Sequence, residues 1–149
     1  MSVRDNADSE AARIARCALE EVCSGTRLDR LAQYYSPRFV DHVNGVEYRG
    51  HSGVQASVKL YRTLLSDMAI SVEDQVSDGE RVVSRFVVTG TTYGRSVKFD
   101  GITISHLEGG LIVQDWSVTD TLGMLRQLGL LRFLFVMLNS LGRGRATSK

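Results

Sequence analysis

The chain has 149 residues, 43% of them hydrophobic and 23% charged, with a formal net charge of +1. That length suits a single domain able to bury roughly 70% of its unfolded surface, and the balanced charge gives no broad electrostatic footprint for nucleic acid. Two cysteines and a polar N-terminus without an apolar signal core point to a reduced, cytoplasmic setting rather than a disulfide-stapled secreted one.

Residues 1–8 are polar and read as frayed. From Ser9 to Cys23, Ile14, Cys17, Ala18, Leu19 and Val22 recur at helical spacing, and Ser24-Gly25 supplies a stop. Cys17 and Cys23 are six residues apart, do not share a helix face, and read as free thiols. Thr26 reads as the cap of a second helix, with Leu28, Leu31, Ala32 and Tyr35 on one face and Pro37 at its end. Residues 39–43 form a short predicted strand, followed by a turn at Asn44-Gly45. A third helix is predicted over 52–65, with Val54, Val58, Tyr61 and Leu65 as its apolar stripe.

The period then changes from helical to alternating. Segments 69–76, 81–90, 95–107 and 111–119 read as four strands, with hairpin turns at Asp78-Gly79 and Gly109-Gly110. Helices segregated from an antiparallel sheet predict an α+β fold. A last helix is predicted over about 121–141. Its stretch 128–138 is apolar nearly all round, yet too short to span a membrane. Such a helix is expected to pack between its own domain and a partner subunit; the alternative is an interfacial anchor helped by Arg143 and Arg145. No linker, internal repeat or second domain is visible.

Taking Glu108-Gly109-Gly110 as a three-residue loop, alternation sets Leu107 against Leu111, Ser105 against Val113 and Thr103 against Asp115, with Ser117 diagonal to Thr103. Ile102, Ile104, His106, Ile112, Gln114, Trp116 and Val118 then share the opposite side. Both faces are largely apolar, so both are expected to be covered, one by a pocket and the other by a second subunit in a homodimer.

The run Gly101-Ile-Thr-Ile-Ser-His106-Leu-Glu-Gly-Gly110-Leu-Ile, with Trp116, Asp120 and Met124-Leu-Arg-Gln-Leu-Gly129 after it, resembles the C-terminal signature of the SnoaL-like polyketide cyclases. These are small enzymes of the nuclear transport factor 2-like superfamily. Residues 39–42 resemble that family's first short strand. The resemblance implies a curved antiparallel sheet closed by N-terminal helices into a cone, an α+β barrel around an internal apolar pocket, with Thr103, Asp115 and Ser117 facing inward. It also exposes departures. The acid/base Asp and assisting His of the aldol cyclases fall on Ser117 and Thr103, and a Ser hydroxyl is too weak a base for that work. Of the Asp-Arg-Asp set of the limonene-type epoxide hydrolases, Arg85 matches, while Val87 and Ser117 replace the acids. The segment 90–98 is shorter than the mouth-bordering loop of many relatives.

The remaining polar chemistry centres on carboxylates. Asp115, if inward among apolar neighbours, has its pKa raised and suits proton transfer; otherwise it sits near a strand end against water or an Arg. Asp41, on the first strand, is the second candidate, or else bonds the backbone beside Asn44-Gly45. Asp120 directly precedes a helix and reads as an N-cap or as a pocket acid. His42 is the fourth catalytic candidate, besides these three acids. Thr103, Ser117, Arg85, Trp116, His106, Tyr35 and Tyr61 are candidate substrate contacts. No metal-ligand spacing, phosphate loop or dinucleotide fingerprint occurs, and no cofactor or metal is expected.

These readings lead to a cofactor-independent cyclase or related enzyme acting on a hydrophobic polyketide-type intermediate in bacterial secondary metabolism. A non-catalytic small-molecule-binding protein is the alternative, and an epoxide-opening enzyme or hydroxylase of the same superfamily is a further one. The expected partners are a small hydrophobic substrate and a second copy of the chain, with neither nucleic acid nor membrane association.

Overall fold

A computed structural model describes residues 3–132 together with 134 and 138; for residues 3–9 the backbone alone is described. The order of elements is α1 (Val3–Cys17), a π-helical turn (Ala18–Cys23), a 3-10 turn (Leu28–Arg30), α2 (Leu31–Tyr34), β1 (Tyr35–Val43), β2 (Val46–Arg49), α3 (Gly50–Leu64), β3 (Ala69–Asp78), β4 (Arg81–Thr92), β5 (Arg95–Glu108), β6 (Leu111–Thr119) and α4 (Thr121–Leu128). One six-stranded sheet runs β2-β1-β6-β5-β4-β3. The fold is α+β, as expected, but the curved sheet stays open, with β2 and β3 at its edges. It is also not wholly antiparallel, because β1 lies parallel to β6.

The first predicted helix is present, and its stripe of Ile14, Ala15, Ala18 and Val22 is buried against the sheet. Its last turn widens into the π-helical segment. Thr26 does not cap a following helix. Its hydroxyl donates to the Glu21 carbonyl at 3.1 Å and closes the π turn instead. The second helix is correspondingly short. Tyr35 is already extended (φ −111°, ψ 135°), and Pro37 keeps the residue before it out of the helical region.

Strand β1 therefore begins four residues earlier than expected, and the β1–β6 register slips between Tyr35 and Val40, around Pro37. Asn44 (φ 48°) and Gly45 (φ 81°) turn the chain into β2, a strand too short for its period to be read from sequence. The four later strands form the expected meander.

The β5–β6 hairpin departs from simple alternation. Gly109 and Gly110 both have positive φ and make a two-residue turn, so Glu108 pairs with Leu111. A bulge then offsets the strands: Leu107 pairs with Ile112, but His106 pairs with Gln114. Beyond the bulge Ser105 opposes Asp115 and Thr103 opposes Ser117, which corrects the expected register by two residues. The bulge also turns Ile112 inward, where it is buried beside Leu107, while Gln114, Trp116 and Val118 keep the outer side.

Helix α4 stops at Leu128. Gly129 (φ 82°, ψ 156°) adopts a conformation open essentially to glycine alone, so the expected single helix over 121–141 is broken there. Helical structure resumes at residues 130–132, 134 and 138. The rest of that predicted helix, and the basic residues Arg143 and Arg145, lie outside the described residues.

Candidate functional site

The helices cover one side of the sheet and leave a partly open cavity of about 80 Å³. Phe39, Phe86 and Phe99 from the strands and Val54, Val58 and Tyr61 from α3 contribute to walls that are mostly apolar. None of the described side chains lining it is basic.

Two carboxylates enter this space together. Asp41 of β1 and Asp115 of β6 are direct partners across the parallel pair. Residues so paired point to the same face from strands about 4.8 Å apart. One oxygen of each, Oδ1, is buried without a hydrogen-bond partner. Burial raises the Asp115 carboxyl to about 7, opposed by a hydrogen bond with Ser105. Burial, and then the charge of Asp115, pushes Asp41 well above the ordinary carboxylate range. Two like charges this close in an apolar enclosure are not both formed readily, so near neutrality the pair holds one proton and titrates as a unit. The hydrogen bond from Ser105 favours the charge on Asp115.

The remaining polar atoms surround the pair. The Tyr35 phenol and the Cys23 thiol are 3.2 Å apart. Burial drives the Tyr35 phenol well up and the Cys23 thiol up to about 12. Tyr35 is therefore a hydrogen-bond donor rather than a base, and Cys23 is too rarely ionised to be a nucleophile. Thr103 and Ser117 hydroxyls, on the positions where aldol cyclases carry their His and Asp, are bonded to each other at 2.8 Å. Toward the end of β6, the Asn44 side-chain carbonyl accepts from the Thr119 amide at 3.0 Å and its amide donates to the Thr119 hydroxyl at 2.8 Å. Tyr61 lines the cavity, with its phenol pushed up to about 12, chiefly by burial.

Of the residues singled out from sequence, Asp41, Asp115, Thr103, Ser117, Tyr35 and Tyr61 therefore meet in one cavity. The others do not reach it. His42 lies on the outer face, its ring stacked on Trp116 at 5.6 Å between centroids and its Nε2 2.9 Å from the Gln114 side-chain nitrogen. His106, facing Glu80 at 3.8 Å, and Arg85, opposite Ile102, share that outer face. Asp120 accepts the Gly123 amide at 2.8 Å and caps α4. Gln127 explains part of the signature's ending. Its side-chain amide donates to the Lys98 carbonyl at 2.7 Å and its oxygen accepts the Lys98 amide at 2.8 Å. It thereby satisfies backbone of β5 that extends past the end of β6. Cys23, Asn44 and Ser105 were missed by sequence reasoning. Ser105 lies in the signature run and Asn44 in the Asn44-Gly45 turn, but only the folded register brings them, with Cys23, to the carboxylates.

The family model for SnoaL-like polyketide cyclases matches residues 13–128. Among solved structures, a candidate polyketide cyclase from Bacillus cereus ATCC 10987 is 26% identical, with a TM-score of 0.74 over 82% of each chain. One from Acidithiobacillus ferrooxidans is 25% identical, with a TM-score of 0.73 over 86% of this chain and 97% of that one. IdmH, a candidate polyketide cyclase from Streptomyces antibioticus, is 24% identical and shares the fold, with a TM-score of 0.71 over 80% of this chain and 99% of that one. No curated protein matches the sequence.

Proposed function

Because the chain belongs to the SnoaL-like polyketide cyclase family, we propose that it is a cofactor-independent cyclase, or an enzyme of related rearrangement chemistry, acting on a hydrophobic polyketide-type intermediate in bacterial secondary metabolism. The observation that carries this reading is the pairing of Asp41 with Asp115 inside an apolar cavity. With one proton between them, the pair supplies an acid and a base at once. The ionised Asp115 takes a proton from the substrate while protonated Asp41 gives one to a developing oxygen anion. The site's total proton count is then unchanged after the step. The Tyr35 hydroxyl is a further donor to that oxygen. The apolar walls fold a flexible substrate into a reactive conformer, which is a proximity effect. With Ser117 and Thr103 on the aldol positions, proton transfer is assigned to the β1–β6 pair rather than to the β5–β6 pair.

The outer face supports a second element of the proposal. Ile102, Ile104 and Trp116 are each more than 40% exposed and Val118 is 63% exposed, next to one another on β5 and β6. A contiguous apolar sheet face of this kind is suited to burial against a second copy, and we propose a cytoplasmic homodimer formed through it. The reaction is tested by mass spectrometry of co-purified small molecules, followed by turnover of the identified compound by wild type, Asp115→Asn and Asp41→Asn. Full turnover in both variants would exclude the pair from the chemistry, whereas no turnover by wild type would leave a binding protein.

A further inference from the structure

Along β6 the cavity is lined in turn by Asp115, Ser117 and Thr119, each a two-residue step of roughly 7 Å from the next. The neighbouring strands extend these positions into rows. Asp41, Asp115 and Ser105 stand side by side, and Val43, Ser117 and Thr103 form the next row. Proton transfer engages the first row. The second holds two hydroxyls bonded to each other at 2.8 Å, with no part in that step. A hydroxyl has one hydrogen to give, so the pair shares one and keeps one. Among the described residues neither hydroxyl has another hydrogen bond. Thr103 is 1% exposed, whereas Ser117 is half-buried, and its partner on β1 is Val43, which offers no side-chain acceptor. A buried hydroxyl hydrogen without an acceptor is costly. The more buried Thr103 therefore donates to Ser117, and the hydrogen left over belongs to Ser117. Accepting one hydrogen bond strengthens the one that the same hydroxyl donates.

We propose that the Thr103–Ser117 pair is a specificity site, in which Ser117 donates a hydrogen bond to a neutral carbonyl or ether oxygen of the substrate, one strand step from the atom that exchanges a proton with Asp41 and Asp115. The acceptor is neutral because no described side chain lining the cavity is basic, and the negative charge of the acid pair one step away repels an anion. The substrate class that follows carries at least two oxygens, one at the reacting centre and one held apart from it. A hydrocarbon frame with a single carbonyl leaves the Ser117 hydrogen unused. This deepens the cyclase reading and rests on it for the first oxygen, while the second is read from the hydroxyl pair alone.

The test is NMR titration of the full chain with two probes, para-diacetylbenzene and para-ethylacetophenone, in which a methylene replaces one of the two carbonyls. The ratio of their dissociation constants is measured for wild type, Ser117→Ala and Thr103→Val. The ratio should favour the diketone about three- to tenfold more in wild type than in Ser117→Ala, as one net hydrogen bond supplies. Partial unfolding of a variant weakens both probes alike and leaves the ratio unmoved. Thr103→Val keeps the Ser117 hydroxyl and should keep most of the wild-type ratio. Equal ratios in wild type and Ser117→Ala overturn the proposal, as does absence of diketone binding to wild type. A ratio lost in Thr103→Val and kept in Ser117→Ala overturns the assignment of the donor to Ser117. No turnover enters these measurements, so failure of this site is distinguished from failure of the acid pair, which the turnover of Asp115→Asn reads.

Discussion

Replacing Asp115 by Asn should make the protein more stable at alkaline pH while disabling it. The side chain is 5% exposed and its carboxyl is raised from 3.8 to about 7 by burial. At 1.36 kcal/mol for each tenfold change in acidity, this difference corresponds to about 4 kcal/mol. The sign follows from proton counting. Between pH 4 and 7 the folded protein holds a proton at this site that the unfolded chain has released, so folding stability falls as pH rises through that window. Asp41 is shifted in the same direction and adds to the fall. Asn is of similar size, carries no charge, and can donate to the Asp41 carboxylate. Denaturant unfolding of wild type at pH 5 and pH 8 should therefore show a loss of about 3 kcal/mol from Asp115, with Asp41 adding to it, and Asp115→Asn should lose less. A wild type equally or more stable at pH 8 would refute the buried, proton-sharing arrangement.

Turnover should fall by about 10²–10⁴-fold in Asp115→Asn and in Asp41→Asn with ligand binding retained, measured on the co-purified compound. Asp120→Asn should keep activity and stability, whereas Asp120→Ala should cost about 1 kcal/mol in unfolding experiments, because Asn caps α4 as Asp does; lost activity in the Asn variant alone would place Asp120 in the chemistry. Gly101→Ala should lower the melting temperature by a few degrees, since an added Cβ would strike the Phe86 ring. Ile104→Asp should give a monomer by light scattering if the outer face holds the dimer together.

The fold was readable where pattern is local. Apolar recurrence at residues 14, 18 and 22 marked the first helix with its π-helical end, and alternation with glycine turns marked the meander. The Asp120 cap was readable from its place before a helix. What escaped was set by long-range or backbone events. The parallel pairing of β1 with β6 joins segments more than seventy residues apart, and nothing in either segment announces it. That pairing is what brings Asp41 beside Asp115, so two separate candidates became one site only in the structure. The two-residue turn and the β6 bulge each moved the register by one residue, and the bulge reversed Ile112, because a bulge breaks the two-residue period on which face assignment rests. His42 follows Asp41 on a regular strand stretch and so points to the outer face, as expected for neighbours on a strand. The apolar run on both sides of Gly129 read as one helix, whereas its positive φ ends α4 there.

The central claim is that Asp41 and Asp115 share one proton in the cavity. Carboxyl ¹³C NMR titration of aspartate-labelled protein, with Asp41→Asn and Asp115→Asn for assignment, measures this directly. The account predicts that at pH 8, roughly four units above the ordinary aspartate range, one of the two carboxyls is still protonated. It also predicts that Asp115→Asn lowers the midpoint of Asp41. Two independent titrations near pH 4, indifferent to each other's substitution, would contradict it.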